Sequence, residues 1–383
     1  MTETTVQFLW LDRSIHSGFR AGVSLHSHTM YSEESLGMIP RYVGRLPLLG
    51  PAVRAESEKY HRWKCEPLDF SRAFWTPPLS AREAYQLEQN QIQRTLELPA
   101  IVSLTDHDDI RAGAQLRILD DSLEIPVSAE WTIPFGSTFF HLGVHNLPAQ
   151  QASGIMQRLQ RYTADPEPGE LEGLLEWLDS MPDVLVVLNH PLWDEKGIGV
   201  SEHAHVLGRL LERHGRYFHA LEVNGLRSWK ENQKVLWLGR QSNHPVVSGG
   251  DRHGSEPNAI LNLSRGANWI DFVREVRCER RSHVVFMPQY REPLRMRILQ
   301  TMVDIVRDYP ENLEGRKSWS DRVYYRQTDG PPVPLRHYWP SGKPFVIQAF
   351  VRAMRIAELR SVQSAIRLAL SDRTLWSDQE ALI

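Results

Sequence analysis

The chain has 383 residues, 41% hydrophobic and 24% charged, with a formal net charge of −3. That length holds one large α/β barrel with additions, or two domains, and the near-balanced charge supplies no overall drive toward nucleic acid or an anionic membrane. Two cysteines, Cys65 and Cys278, argue against a disulfide framework, and apolar runs such as Val184–Leu188 fall far short of the roughly 20 residues a bilayer demands. The unusual counts are 16 His and 12 Trp; many imidazoles with few thiols point toward an imidazole–carboxylate metal site.

In chain order, Phe8-Leu9-Trp10-Leu11 is followed at once by Asp12-Arg13, unlike the charged-then-apolar pattern of a secretory signal, so a reducing cytoplasm is the expected compartment. Seven short β-rich segments come next: Gly22–Leu25, Ala100–Leu104, Ile125–Ala129, Thr138–Val144, Val184–Leu188, Phe218–Val223 and Pro245–Ser248. Several are apolar throughout, which suits strands buried on both faces of a parallel sheet. Helical periodicity fills Ala81–Leu96, Gly169–Ser180, Ser201–His214 and Leu226–Arg240. Ser80 with Glu83 three residues on predicts a capping box. Strands alternating with helices predict an α/β architecture.

Two regions stand outside this alternation. Residues 37–78 carry Pro40, Pro47, Pro51, Pro67, Pro77 and Pro78 with Trp63 and Trp75, and form either a lid or a packed surface excursion. Residues 281–383 form an α-rich C-terminal extension, with a Pro-rich turn at Pro331–Pro334 and a helix within Pro344–Leu370. Phe350, Met354, Leu359, Val362 and Ile366 make one apolar stripe there, placed first as core packing and second as an interface between two copies. The barrel is expected over 1–280.

Polar residues fall where chemistry would place them. Nearly every strand ends in a titratable group: His26 and His28, Asp106 and His107, Glu130, His190, Glu222, Asp251 and His253. In a (β/α) barrel the strand ends converge on one face, whereas an open doubly wound sheet uses one switch point. No Gly-rich dinucleotide or phosphate loop follows any strand. His26 and His28, at i and i+2 in extended chain, project to one face. His203-Ala204-His205 has the same spacing in a predicted helix, where the two diverge, and is read as surface. A single Asp-x-His or His-Pro is usually a hydrogen-bonded loop residue; five such groups at successive strand ends argue otherwise.

As an ordered set over about Ala21 to Ser264, these segments resemble the PHP (polymerase and histidinol phosphatase) superfamily. The motifs are His26-x-His28, Thr105-Asp106-His107, Glu130 followed by His141, His190-Pro191, and Gly249-x-Asp251-x-His253. The resemblance implies a distorted (β/α)7 TIM-like barrel. It implies metal ligands at His26, His28, Glu33, His107, Glu130, His141, His190, Asp251 and His253, with Glu130 as the bridging carboxylate. Such a set suits two or three divalent transition-metal ions, Zn, Mn or Fe. Asp106, Glu222 and backbone carbonyls are candidate acceptors behind the ligating imidazoles. Two positions depart from the family pattern. Ser32-Glu33-Glu34 replaces the usual Ser-Asp-Gly, so Glu33, rather than Glu34, is expected to hold the weakest ion. Arg252 replaces a small residue and either clamps a substrate phosphate or pairs with an acid outside the site. His145 competes with His141 for the fourth-strand position, and Arg227 is a lesser anion-binding candidate.

The resemblance further implies a metal-dependent phosphoesterase that uses a metal-bridging hydroxide on a small phosphorylated substrate, with Glu130, His190, Asp251 and Arg252 in the catalytic centre. Membrane association is not expected, and nucleic acid only as a short oligonucleotide end; a homo-oligomer fits the apolar stripe. An amide or ester metallohydrolase and a catalytically weak metal-binding module are the alternatives.

Overall fold

Strands take up the continuous apolar runs and their neighbours. In chain order they are β1 (Glu3–Phe8), β2 (Ala21–Ser24), β3 (Glu34–Ser35), β4 (Ala73–Trp75), β5 (Ala100–Val102), β6 (Ala129–Phe135) and β7 (Thr138–His145). They continue with β8 (Leu185–Asn189), β9 (Ala220–Asn224), β10 (Val246–Gly249), β11 (Ile260–Ser264), β12 (Arg281–Phe286), β13 (Val323–Tyr325) and β14 (Val333–Pro334). The computed structural model describes residues 2–37, 49–64, 69–119, 125–312, 316–327, 330–338, 345–357 and 359–370. Cys65, and the residues Pro40, Pro47, Pro67 and Pro344 of the expected lid and extension, lie outside these. No helix among the described residues is long and apolar enough to cross a membrane.

The chain divides into two compact units. The first comprises residues 1–32, 79–298 and 370–383, the second 33–78 and 299–369. In the first, one five-stranded sheet has the order β1-β12-β11-β2-β5 and the other β10-β9-β8-β7-β6. The expected alternation holds for β8, β9 and β10, which run parallel. It fails at β6 and β7, an antiparallel hairpin in register from Ala129–Val144 to Phe135–Thr138. Residues 125–128 carry no strand; pairing starts at Ala129, where the partner strand is first available. β1, β11 and β12 have no counterpart among the expected strands.

Isolated parallel bridges join Ser27 to Arg252 and His107 to Glu130, just beyond the carboxyl ends of β2, β10 and β5 and at the start of β6. β8 shows why its sequence is apolar at every position: Val186 and Leu188 pack into one core cluster and Leu185 and Val187 into another. Fully burying such a side chain stabilises by roughly 1.5–3 kcal/mol. The helix Ala81–Thr95 starts at the predicted capping box, Glu83 N donating to Ser80 Oγ (3.3 Å) and Ser80 N to Glu83 Oε2 (2.8 Å).

The second unit brings the long insertion and the chain after 298 together around one sheet, β14-β13-β4-β3. Trp75, Val306, Trp319, Val323 and Val351 form its core, with Phe350 and Met354 packed against it. The expected single helix is two, Phe345–Ala357 and Arg360–Leu370. Leu359 falls in the break and is exposed, so it leaves the apolar stripe.

Candidate metal centre

The ligand candidates of the first unit are laced together by backbone hydrogen bonds between neighbouring strand ends. Asp251 N donates to His26 O (2.7 Å), His28 N to Arg252 O (2.8 Å), Thr105 N to Ser27 O (2.9 Å) and Glu130 N to Asp106 O (3.0 Å). Three of the candidates, His26 (φ 61°), His190 (φ 27°) and Asp251 (φ 54°), have left-handed backbones. For a residue with a Cβ this conformation costs roughly 1–2 kcal/mol. It persists where surrounding bonds over-determine it, which is typical of sites that hold a ligand.

The structure gathers His26, His28, His107, His141 and His190 around one buried carboxylate. Glu130 Oε2 lies 3.0 Å from His26 Nε2 and 3.3 Å from both His28 Nε2 and His107 Nδ1. Glu130 Oε1 lies 3.1 Å from His190 Nε2 and 3.6 Å from His141 Nδ1, and accepts a hydrogen bond from Asn189 Nδ2 (2.9 Å). Asp251 Oδ1 sits 3.6, 3.5 and 3.5 Å from His26 Nε2, His28 Nε2 and His253 Nδ1. Donor atoms of His26, His28 and Glu130 fall within 4.8 Å of one another, as do those of His107, Glu130 and His141. Glu130 is common to both groups.

These residues fit metal ions. Two ligand atoms each about 2.0–2.2 Å from one ion stand roughly 2.8–3.6 Å apart, from octahedral to tetrahedral angles, which spans the spacings around Glu130 Oε2. His26 Nε2 and Glu130 Oε2 are buried and make no hydrogen bond among the described residues. Buried polar atoms are almost always satisfied, and a shared cation would satisfy a ring lone pair and a carboxylate at once. The tautomers agree. His26 Nδ1 donates to Glu222 Oε2 (2.6 Å), and His253 Nδ1 donates to the Asp251 carbonyl (2.7 Å), leaving each Nε2 as a lone-pair donor.

Electrostatics point the same way. Burial opposes the charge on Glu130, yet His26, His107 and His141 hold its carboxyl well below the usual range. Asp251 behaves likewise, burial being overcome by His26, His28 and His253. Burial lowers the His26 imidazole, but Glu130, Glu222 and Asp251 outweigh it and carry the group well above its ordinary value. His141 is pushed well below its ordinary value by burial, against Glu130, with His107 adding to the fall. The carboxylates thus draw positive charge into a buried space, and a divalent cation can take the place of the proton they recruit.

Several expectations are corrected. Arg252 is buried and spent on structure. Its Nε donates to Glu88 Oε1 (2.8 Å), Nη1 to Gly254 O (2.8 Å) and Nη2 to His28 O (3.1 Å), which answers to the acid-pairing reading and not to a phosphate clamp. Asp106 accepts from Thr29 N (2.5 Å) and Thr29 Oγ1 (2.7 Å), shaping the turn after His28; Glu222 is the acceptor behind the candidate ligand His26. Glu33 belongs to the second unit, is exposed, and pairs there with Arg326; Glu34 is buried in β3. His145 turns away to Ser103 Oγ (2.8 Å), and burial pushes it down to about 3. His203 is buried, its Nε2 donating to Pro191 O (3.0 Å) and so bracing the turn after His190; only His205 is at the surface.

The network behind the ligand candidates escaped the sequence reading. Glu88 accepts from Ser24 Oγ (3.1 Å), Arg252 and Asn258 N. Asn258 Nδ2 contacts Ser24 Oγ, Leu25 O and Ser27 Oγ at 2.8–3.2 Å. A Cβ at Gly250 would meet Asn258 at 1.7 Å, so only glycine lets this amide reach the strand ends. The one available signal was position: Glu88 lies on the stripe Ala81, Ala84, Tyr85, Gln91 and Ile92 that its helix buries.

No family model and no curated protein matches the sequence. Solved structures similar to it include an amidohydrolase from Chromobacterium violaceum with bound sulfate and no metal, 14% identical, TM-score 0.35, covering 47% of this chain and 84% of that one. A putative metal-dependent phosphoesterase from Bifidobacterium adolescentis is 14% identical, with a TM-score of 0.32 over 53% of this chain and 91% of that one. PsfC from Pseudomonas syringae is 17% identical, with a TM-score of 0.38 over 57% of this chain and 88% of that one.

Proposed function

We propose that the first unit is a metal-dependent hydrolase of phosphoesters. The observation that carries this reading is Glu130, a buried carboxylate shared by two imidazole groups. In this reading His26, His28 and Asp251 would hold one ion and His107 and His141 a second, with Glu130 near both groups. His190 approaches from the Glu130 Oε1 side, and His253 offers Nε2 for a further ion. The same reading takes β2 and β5 to β10 as a distorted seven-stranded ring, jointed at the Ser27–Arg252 and His107–Glu130 bridges.

Ions at this centre would supply Lewis acidity and lower the pKa of a water near neutrality. The chain supplies the rest. Glu222 fixes the orientation of His26. Asn189 and His190 anchor Glu130 Oε1, and Asn224 Nδ2 holds Asp251 Oδ2 (3.1 Å). Phe139, His141, Asn189, His190, Trp193 and Glu195 line a small opening on this side.

The preference for phosphoesters rests on the ordered motif set; the substrate is placed among small phosphorylated compounds. Metal analysis of protein purified without chelator, followed by a panel of phosphomonoesters, phosphodiesters, amides and esters, tests it. Two to three equivalents of Mn, Fe or Zn with phosphoester turnover are expected. Less than half an equivalent after metal addition would sink the metal centre. Turnover of amides or esters alone would replace the reaction.

A further inference from the structure

One face of the sheet β1-β12-β11-β2-β5 changes character along its strands. Side chains alternate across a strand, so Arg265, just past β11, follows Leu261 and Leu263 on one face, and Arg281 and His283 of β12 precede Val285. Leu261, Leu263 and Val285 pack in an apolar cluster with Ile92 and Leu96, and a Cβ at Gly22 of β2 would meet Ile92 at 2.6 Å. Arg20 stands two residues before that glycine. Leu263 pairs with both His283 and Gly22, and Arg20 N donates to Ser264 O (2.8 Å), which sets the basic residues side by side. They lie at the end of β2 away from His26.

A cavity of about 290 Å³ opens there. The sheet lines it with Arg20, Arg265, Arg281 and His283, and the helix Trp269–Arg277 and the turn after it line it with three acids and Arg274. The acids are engaged. Glu275 Oε1 accepts from Ser264 Oγ (3.0 Å) and Gly266 N (2.8 Å). Asp271 Oδ1 stands 3.5 Å from Arg274 Nη2, and Glu279 pairs with Arg281 and stands 3.8 Å from Arg274 Nε. Glu3 of β1 acts on Arg281 and His283 from the neighbouring strand. The guanidiniums of exposed Arg20 and Arg265 make no hydrogen bond or ion pair among the described residues.

His283 distinguishes this place from an ordinary basic surface. It is 8% exposed, Phe19 meets its ring edge-on at 4.8 Å, and neither ring nitrogen has a hydrogen-bond partner among the described residues. Buried polar side chains seldom go unpaired. Burial, with Arg265 and Arg281 adding to it, lowers the imidazole, so the ring offers a neutral N–H beside a cation. We propose that this cavity is a ligand site separate from the metal centre, which takes a small phosphorylated compound by its phosphate. Arg265 and Arg20 supply charged donors and His283 a neutral one. Guanidinium forks match tetrahedral oxyanions, and donors converging from neighbouring strand ends suit a group with several acceptor oxygens. The volume is close to the lower bound of roughly 300 Å³ for small-ligand pockets, which leaves room for an organic group beside the phosphate.

The test is ring-nitrogen NMR of the full chain with labelled histidine, the His283 signal being the one lost in His283→Gln. The probes are inorganic phosphate and propylphosphonate, whose C–P bond resists hydrolysis at the metal centre. Both should move the His283 signal saturably, propylphosphonate at the lower concentration. Arg265→Ala should weaken that response about tenfold or more, as expected for loss of a charge-assisted pair, and Arg20→Ala should weaken it less. Arg265→Lys keeps the charge without the fork and should recover only part of the affinity; it also serves if the alanine variant folds poorly. No saturable movement with either probe overturns the site. A response unchanged in all three arginine variants assigns the shift to binding elsewhere and overturns it too. Movement with inorganic phosphate and none with propylphosphonate overturns the phosphorylated compound in favour of the free ion.

Discussion

At His26 the charge balance of the centre has a measurable consequence. Without a cation, burial lowers this imidazole but Glu130, Glu222 and Asp251 outweigh it and hold the group well above its ordinary value, which favours the protonated ring. An ion bound at its Nε2 must displace that proton. Addition of Zn or Mn to metal-free protein at pH 7 should release about one proton per chain in a weakly buffered titration; no release would remove His26 from the ligand set. Glu130→Ala should abolish activity together with most of the bound metal, and a normal kcat in that variant would contradict its bridging role. His145 makes a contrasting case. Its folded value, about 3, lies below the unfolded one of 6.5, so the unfolded chain binds the extra proton between those limits. Stability conferred by the neutral ring is full above pH 6.5 and falls as the pH drops toward 3, by about 1.4 kcal/mol per unit. Denaturant midpoints of His145→Asn should therefore depend less steeply on pH between 6 and 4. The clustered imidazoles and carboxylates were legible in the sequence because their types recur at strand ends. Glu88 and Asn258 were not, since an acid in a helix and an amide in a loop show nothing of partners far away along the chain.

Elements carry the second lesson. β8, apolar at all but its last position, was readable because both its faces are buried. β12 begins Arg281-Ser282-His283 and β11 holds a buried Asn262, so neither presents the apolar run that marks a strand. Asn262 instead bonds Ser248 N (2.8 Å) through its side chain, a pairing that only the folded sheet supplies. The helix Ala81–Thr95 shows how an element can be part of a site it does not touch. Its Glu88 engages Arg252, whose guanidinium also binds the His28 carbonyl, so the helix sets the spacing between the His26–His28 segment and the Asp251–His253 segment. Breaking a buried ion pair from one side costs about 3–5 kcal/mol, much of it from the stranded charge. Glu88→Leu and Arg252→Met should each destabilise by that order. The double variant should be less damaging than the sum, and a strictly additive result in urea unfolding would deny the coupling.

For the whole molecule, the division into two units was not legible. Residues 33–78 and 299–369 are far apart in the chain and meet through β4 and β13, three residues each, too short to show a period. The sequence offered a lid or a packed surface excursion for the one and an extension with a packing stripe for the other, without joining them, whereas these segments share one core around Trp75 and Trp319. Glu33 belongs there, with its carboxylate engaged by Arg326. An exposed pair of this kind contributes little, so Glu33→Ala should leave metal content and melting temperature nearly unchanged. Loss of one ion per chain would return Glu33 to the ligand set.

The lacing of strand ends has a consequence for folding. The ligand candidates run from His26 to His253, and the bonds that align them, Asp251 N to His26 O and His28 N to Arg252 O, close almost the whole first unit into a loop. Contacts so distant in sequence form late and cooperatively. No fragment of the chain can then assemble the centre early, and any opening that parts β2 from β10 would release ions held there. Metal held there would act as a reversible cross-link whose strength is set by its concentration, adding about 2.7 kcal/mol at a hundredfold excess over the dissociation constant. The thermal midpoint should climb with added Mn or Zn and fall with chelator, and Glu130→Ala should flatten that dependence, so that a melting curve alone reports whether the two ends of the first unit are joined.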